Sequence, residues 1–453
     1  MTTSLAVFTR DLRVHDNPAL AAAAAASPTV LPVFVIDDEL IARVRSHASR
    51  LAFLTDSLAD LDRSLRQRGG ALVTRRGQWA DTVLALARQT AAAAIHLADD
   101  YSGYARRRLA ELDGRAAANR IRVIRHPSIT LAEPGVVVPA GGAAYQVFGP
   151  YYQRWQKEPV RPVAAAPGRI TLPDGVDHGQ LPSLSDLTTS QPAAGRLPGG
   201  ERAGAGRLRA WASDGLAGFA ASRDLLAADS GSRLAPYLHL GCLSARAVAA
   251  ELAGRPGSEA FLRQLAWRDF FHQVLAARPD AAWRDYRSRG DRWRDDAGAL
   301  QAWQEGQTGY PVVDAAMRQL AAEGYMPNRA RMIVASFLTK DLYLDWRSGA
   351  AHFMQHLTDG DVACNQLNWQ WVAGTGTDTN PRRIFNPLRQ SERFDPDGDY
   401  LRRHLPELAG LPADRIHDPD PMTRRACAYP GPIVDHRAAI AEFRARTSRQ
   451  ASR

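Results

Sequence analysis

The run Asp359-Gly-Asp-Val-Ala-Cys-Asn-Gln-Leu-Asn-Trp-Gln-Trp-Val-Ala-Gly-Thr-Gly-Thr-Asp-Thr-Asn-Pro-Arg-Arg-Ile-Phe-Asn-Pro387 crowds carboxylates, amides, two tryptophans and a polar glycine turn into one short stretch. Asp359, Asp361 and Asn365 offer hydrogen bonds to a polar ligand. In a helix Trp369 and Trp371 stand about 200° apart, so one indole can face a cofactor and the other a substrate. Each residue also has a plainer reading, as an aspartate cap at a buried helix start or a core tryptophan. The mixture as a whole is what few structural needs explain.

Outward from this run, composition sets the frame. A chain of 453 residues is long for one core, so two domains are expected. Hydrophobic residues at 45% and charged residues at 23% are those of an ordinary globular protein. Lys plus Arg number 57 against 48 Asp plus Glu, a net +9 that suits a polyanionic partner. Cys242, Cys364 and Cys427 lack CxxC spacing, which argues against a disulfide framework or a cysteine zinc site and makes a reducing cytoplasm the expected setting. Arg10, Asp11 and Arg13 fall where a signal peptide needs its apolar run, and no apolar run reaches about 18 residues, so no membrane span is expected.

In the first third, Leu5–Phe8, Val30–Ile36, Ala71–Thr74, Ala94–Leu97 and Ile121–Ile124 read as buried strands. Between them Arg50–Gln67, Trp79–Ala93 and Tyr104–Asn119 read as helices. This β-α-β alternation predicts an α/β domain with a parallel, Rossmann-like sheet, although no G-x-G-x-x-G or P-loop follows any strand. Residues 164–206 fill with Pro, Gly, Ala, Ser and Thr, as a connection would, and the remainder reads all-α. The expected division is 1–135, a connector 136–206, a helical domain 207–440 and a tail 441–453. Eight of the ten tryptophans lie beyond residue 210, in the helical part.

The opening run resembles the flavin-binding signature of the photolyase/cryptochrome family, nearest in wording to the class I cyclobutane pyrimidine dimer photolyases. Trp303–Arg318, Met332–Asp341 and the N-terminal Phe8–Leu20 are similar to further motifs of that family. The resemblance implies an antenna-binding α/β domain, a helical FAD- and DNA-binding domain, and light-driven splitting of pyrimidine dimers in DNA. A blue-light photoreceptor of cryptochrome type or a (6-4) lyase is the alternative. Trp293, Trp346 and Trp369 match the family's electron relay, and Asn365 the residue facing the flavin's central ring. Cofactor positions carried over are Phe219, Gly231, Ser232, Arg233, Leu234, Ala235, Arg331, Asp359, Gly360 and Asp361. A serine before a helix, such as Ser232, is more often only an N-cap. DNA-contacting positions are Arg223, Gln264, Trp267, Asn328, Arg329, Met332, Trp371, Arg383 and Gln390. A monomer without obligate protein partners is expected.

Three departures carry expectations of their own. Gln264 stands where the family has a glutamate, so it cannot supply a proton or a negative charge. Phe219, Gly231 and Ala235 each lack a hydroxyl that relatives have, and at about 1 kcal/mol per lost hydrogen bond FAD retention should be weaker. Gly103-Tyr104 replaces the Asn-Glu pair of folate-binding relatives, whereas Arg50 and Asp100 match deazaflavin-binding ones, so an 8-hydroxy-deazaflavin antenna is expected over a folate.

Overall fold

The computed structural model describes residues 2–142 and 144–451. They divide into two compact units. One contains Met1–Pro192, Leu197–Ala217 and Ser232–Asp280; the other contains Ala193–Arg196, Gly218–Gly231 and Ala281–Arg453.

The first unit is built on a parallel sheet of β1 (Thr3–Phe8), β2 (Thr29–Asp37), β3 (Val73–Gly77), β4 (Ala92–Ala98) and β5 (Arg122–His126), in the order β3-β2-β1-β4-β5. Every residue of β1 and β2 is buried, which is why those strands read as continuous apolar runs without alternation. Val7 pairs with Val33 on one side and Leu97 on the other. Helices Ala48–Arg66, Trp79–Gln89 and Gly103–Ala118 follow the sequence expectation. The second is shorter than expected: Ala91 turns to φ 45°, and Ala92 already pairs with Thr3 as the first residue of β4. Alanine suits helix and strand alike, so the boundary is set by the sheet. Strand order reverses between β1 and β4, so the residues just past their carboxyl ends, Arg10 and Asp100, border the crevice where open α/β sheets take ligands.

The stretch expected as a connector is irregular over much of its length, yet it lies against the sheet's edge. Thr171 O accepts from Val30 N at 2.9 Å, and His178 O from Thr74 N at 2.9 Å. Two helices fall within or enter it, Phe148–Trp155 and Glu201–Asp214.

The second unit is helical. Its core joins Trp303, Val313, Met317, Leu338, Trp346, Phe353, Trp369 and Tyr400, all essentially buried. Side chains of this size stabilise by about 1.5–3 kcal/mol each when taken from water. Helix Asn328–Ser336 runs into a π-helical turn, Phe337–Asp341, and helices Trp346–His356 and Val362–Ala373 pack on it.

Candidate flavin and DNA site

The run that opens the reading forms a turn and the helix Val362–Ala373. Asp361 caps that helix, accepting from Cys364 N at 2.9 Å, so its plainer reading holds locally. Gly374, at φ 84°, ends it; a Cβ there would lie 2.2 Å from Pro381 O. Asn365 is 9% exposed, and its Nδ2 donates to Ala350 O at 3.0 Å and to Gln366 Oε1 at 3.2 Å. Trp369 is buried and Trp371 half-buried, the split expected from their angular separation. Gln370, between them, is fully buried: Nε2 donates to Ala281 O (2.6 Å) and Arg284 O (3.2 Å), and Oε1 accepts from Tyr286 N (2.7 Å).

Helix Asn328–Ser336 brings four predicted positions together. Arg331 forks onto Asp359, Nη2 to Oδ2 at 2.8 Å and Nη1 to Oδ1 at 3.2 Å, while Nε donates to Met326 O at 2.8 Å. Burial works against the guanidinium's charge, but Asp359 outweighs it and holds Arg331 above its ordinary pKa. Asn328 and Met332, one turn apart, share another side of the helix, with Nδ2 3.7 Å from Sδ. Arg329 bonds Asp224 at 2.9 Å and lies 4.3 Å over the Phe394 ring.

Contacts through neighbouring residues link the surroundings of the three predicted relay tryptophans. Trp369 rests on helix Trp346–His356 at Gly349, where a Cβ would fall 2.2 Å from its Cη2. Gly349 is one turn, about 4.5 Å of rise, beyond Trp346. Trp346 is buried, and its Nε1 donates to Asp285 at 2.9 Å. Trp293 is half-buried and packs at 5.1 Å on Tyr343, three residues before Trp346. Trp303, outside the predicted set, also contacts Trp369, edge to face at 6.0 Å.

The other predicted residues divide between the units. In the helical unit, Phe219 is buried, Arg223 exposed, and Gly231 sits where a Cβ would meet Tyr325 Oη at 2.9 Å. Arg383 lies 4.9 Å over the Trp371 ring and 3.5 Å from Asp378, while Gln390 Oε1 is buried without a hydrogen bond. In the sheet unit, Ser232 Oγ accepts from Leu234 N at 3.3 Å, Arg233 takes φ 53°, and Ala235 opens the short helix Ala235–His239. Trp267 stacks on Phe148 with centroids 3.6 Å apart, and Gln264 is half-buried one turn before it. Asp100 is buried and pairs with Arg10 at 3.5 Å; Arg50 lies in the first turn of helix Ala48–Arg66.

Residues that lie inside the quoted motifs but were given no role also shape this region. Lys340 is fully buried, donating to Ala373 O at 2.6 Å and Pro381 O at 3.3 Å, and burial pushes its ammonium down to about 7. Thr375 and Thr377 keep buried hydroxyls without hydrogen-bond partners among the described residues, as does Trp369 at Nε1. Buried polar atoms without partners are uncommon and mark places where a ligand completes the structure. The Arg331–Asp359 fork presents a fixed cation that fits an anion-bearing cofactor.

Residues 261–449 match the FAD binding domain of DNA photolyase, which makes the chain an FAD-binding protein by class. Residues 4–168 match the DNA photolyase model, and the chain belongs to the DNA photolyase family. It is 49% identical to a deoxyribodipyrimidine photo-lyase of Streptomyces griseus over 99% of both chains. It is 39% identical to one from Halobacterium salinarum, over 94% of this chain and 95% of that one. Among solved structures it is similar to a bacterial class III photolyase from Agrobacterium tumefaciens (TM-score 0.90, 32% identity, 100% and 98% of the two chains). It is also similar to a Synechocystis cryptochrome (TM-score 0.90, 29% identity, 98% of each chain).

Proposed function

We propose that this chain is a deoxyribodipyrimidine photo-lyase, a carbon–carbon lyase that splits cyclobutane pyrimidine dimers in DNA under blue light. The observation that carries the reading is end-to-end identity of 49% with a relative of that name. Bound FAD, when reduced and excited, supplies the electron that opens the dimer.

The protein's own residues bind, orient and shield. Arg331 presents a fixed cation that favours an anionic ring system, and Asp359 keeps that cation forked in place. Asn365 adds a neutral amide where an aspartate would repel that anion. Gly360 and Asp361 continue the same turn, Ser232, Arg233, Leu234 and Ala235 offer hydroxyl and backbone donors to phosphate, and Phe219 and Gly231 are further cofactor positions. Trp369, Trp346 and Trp293 conduct an electron inward from the surface.

Toward the substrate, Trp371 and Trp267 offer aromatic faces to a flipped dimer, since a lesion leaving the stack needs apolar surfaces to rest on. Gln264, Asn328, Arg329 and Met332 contact the lesion, and Arg223, Arg383 and Gln390 the strand, where charge positions without reading sequence. In the sheet unit, residues 1–135 hold the antenna. Asp100 and Arg50 favour an 8-hydroxy-deazaflavin, and Asp100 lies at the switch point of strand order. Residues 207–440 bind FAD and DNA. The protein acts as a monomer in the cytoplasm. Among the described residues no helix is long and apolar enough to cross a membrane.

The test is repair of a thymine-dimer oligonucleotide by photoreduced protein, with dark and undamaged controls. Light-dependent loss of the dimer is expected. Bound, reducible FAD without repair would overturn the reading in favour of a photoreceptor or a (6-4) specificity.

A further inference from the structure

Lys340 puts a charge in the core of the helical unit, and what it bonds lies on the proposed substrate side. It sits fully buried in the π-helical turn Phe337–Asp341, a kind of turn found mostly at functional sites. Its Nζ donates to Ala373 O at 2.6 Å and to Pro381 O at 3.3 Å, and stands 4.6 Å over the Phe443 ring. Those two carbonyls are the ends of one loop. Ala373 is the last residue of helix Val362–Ala373, where backbone oxygens have no partner further along the helix. At Pro381 the chain returns to the start of the loop, since a Cβ on Gly374 would fall 2.2 Å from Pro381 O. Other groups secure one end each: Gln370 O accepts from Gly374 N at 2.8 Å, Thr375 N at 3.0 Å and Gly376 N at 3.0 Å, and Arg289 Nη1 donates to Pro381 O at 3.2 Å. The Lys340 ammonium bonds both.

The arms of this loop carry two of the side chains proposed to meet DNA. Trp371 lies two residues before Ala373, and Arg383 two residues after Pro381. They touch, with the Arg383 Cζ 4.9 Å from the centre of the Trp371 ring. Arg383 N donates to Asn380 O at 3.1 Å and its Nε lies 3.5 Å from Asp378 Oδ2, so the arginine is held to the loop itself and moves with it. We propose that Lys340 is a positioning residue for damaged DNA: by bonding both ends of the loop it fixes Arg383 against Trp371 before the strand arrives. The proposal rests on the reading of Trp371 and Arg383 as DNA contacts.

Packing alone does not account for a lysine here. A methionine would fill similar volume without taking an ammonium out of water, and burying a charge is costly. That cost shows in Lys340 itself: burial, with Arg289 next, pushes it down to about 7, against the pull of Asp291 and Asp378. A neutral amine keeps two N–H groups, one for each carbonyl, so the link survives loss of the proton. What lysine supplies and an apolar side chain does not is two directed bonds from one point. A loop ordered in advance also spares the complex the ordering cost that a free one would add on binding.

The experiment compares FAD-loaded, full-length wild type and Lys340→Met. It reads binding of a thymine-dimer oligonucleotide in the dark by fluorescence anisotropy, repair against substrate concentration under blue light, and flavin photoreduction without DNA. In Lys340→Met the Kd and KM should rise roughly tenfold, while the repair rate at saturation and the photoreduction rate stay within about twofold of the wild type. Arg383→Ala supplies the discriminating readout. If Lys340 acts by placing Arg383, that change weakens binding in the wild type and hardly at all in Lys340→Met, whereas independent roles would multiply. Lys340→Gln keeps an N–H donor at the end of its stem and should fall between the two. It replaces Lys340→Met in the cycle with Arg383→Ala if Lys340→Met does not hold FAD. An unchanged Kd in the Lys340 variants, or the same factor lost to Arg383→Ala in both backgrounds, overturns the proposal. Wild-type repair alongside that outcome leaves the photo-lyase reading standing and removes Lys340 only. A wild type that binds FAD but neither prefers nor repairs the dimer removes both.

Discussion

Each unit contains one buried arginine–aspartate pair at its proposed cofactor site, and the two are built differently. In the helical unit Arg331 meets both oxygens of Asp359 and is held a third time by Met326 O, so cation and anion are locked in one geometry. In the sheet unit Arg10 reaches Asp100 with a single contact at 3.5 Å and spends its Nε on His239 O at 3.0 Å. Asp100 is held instead by backbone, its Oδ1 accepting from Tyr101 N at 2.6 Å and Ser102 N at 3.1 Å. Burial works against the Asp100 charge, yet Arg10 and the Ser102 N–H outweigh it and hold its pKa below the ordinary value. The lesson is that the proposed FAD side locks its two charges onto each other, whereas on the proposed antenna side Asp100 is held chiefly by backbone N–H groups and Arg10 chiefly by His239.

The largest effect should follow from breaking the forked pair. Arg331→Ala leaves Asp359, 6% exposed at its side chain, as a buried charge without its partner. The expected loss is about 3 kcal/mol, at the low edge for a buried pair because the arginine side chain is 24% exposed. Urea unfolding of the apoprotein measures it, and FAD should wash out on gel filtration. Arg331→Lys should lie between, keeping the charge without the fork. An unchanged midpoint in Arg331→Ala would mean that the two pairs differ in appearance only.

Gly349→Ala tests the same rigidity through packing. The new methyl would fall 2.2 Å from Trp369 Cη2 and 2.6 Å from Leu338 Cδ2, and the indole is a stiff ring in a filled core. Displacing it should cost about 2 kcal/mol. It should also slow flavin photoreduction, because Trp369 moves relative to Trp346. A variant as stable and as fast as the wild type would show the core to be more yielding than its packing implies.

How much of this was legible beforehand follows from the same contrast. The strands could be read because burial on both faces leaves an apolar run in the sequence, and the flavin run because its mixture of residue types has few structural causes. What could not be read needed three dimensions. Lys340 lies in a matched motif, but lysine is so rarely buried that no sequence rule places its ammonium on Ala373 O and Pro381 O. Gln370 hides between two conspicuous tryptophans while tying the segment 281–286 to them. Gly231 lacks a hydroxyl that relatives have, and Tyr325 Oη, which occupies the space a side chain would fill there, comes into view only once residues 94 apart in sequence are brought together. The irregular stretch after residue 164 was legible as loop but not as an edge cover for β2 and β3, because its backbone partners are remote.

A pH series probes the sheet unit. His96 Nδ1 lies 3.0 Å from His126 Nε2, and His96 is pushed down from 6.5 to about 4, chiefly by burial and then by His126. Burial lowers His126 as well. Below pH 6.5 the unfolded chain therefore takes up a proton that the folded sheet refuses until about pH 4, so stability must fall as pH drops through that window. The loss should be on the order of 2 kcal/mol in the wild type and clearly smaller in His96→Gln. Equal acid sensitivity in both would move the cause to another group.

The smallest effect on stability is expected where the engagement is loosest. Asp100→Asn keeps an oxygen for the Tyr101 and Ser102 N–H groups and gives up only the 3.5 Å contact with Arg10. A pair joined by one long contact gains little from it, about 0–1 kcal/mol, so the thermal midpoint should barely move. The carboxylate itself is lost, however, and with it the anion proposed to face the antenna. The expected result is a stable protein that retains FAD and repairs dimers when the flavin is excited directly. The longer-wavelength antenna contribution should disappear from its action spectrum. If Asp100→Asn instead unfolds the sheet unit, the contact with Arg10 is structural, and the contrast between a locked pair and a loose one gives way to two locked pairs.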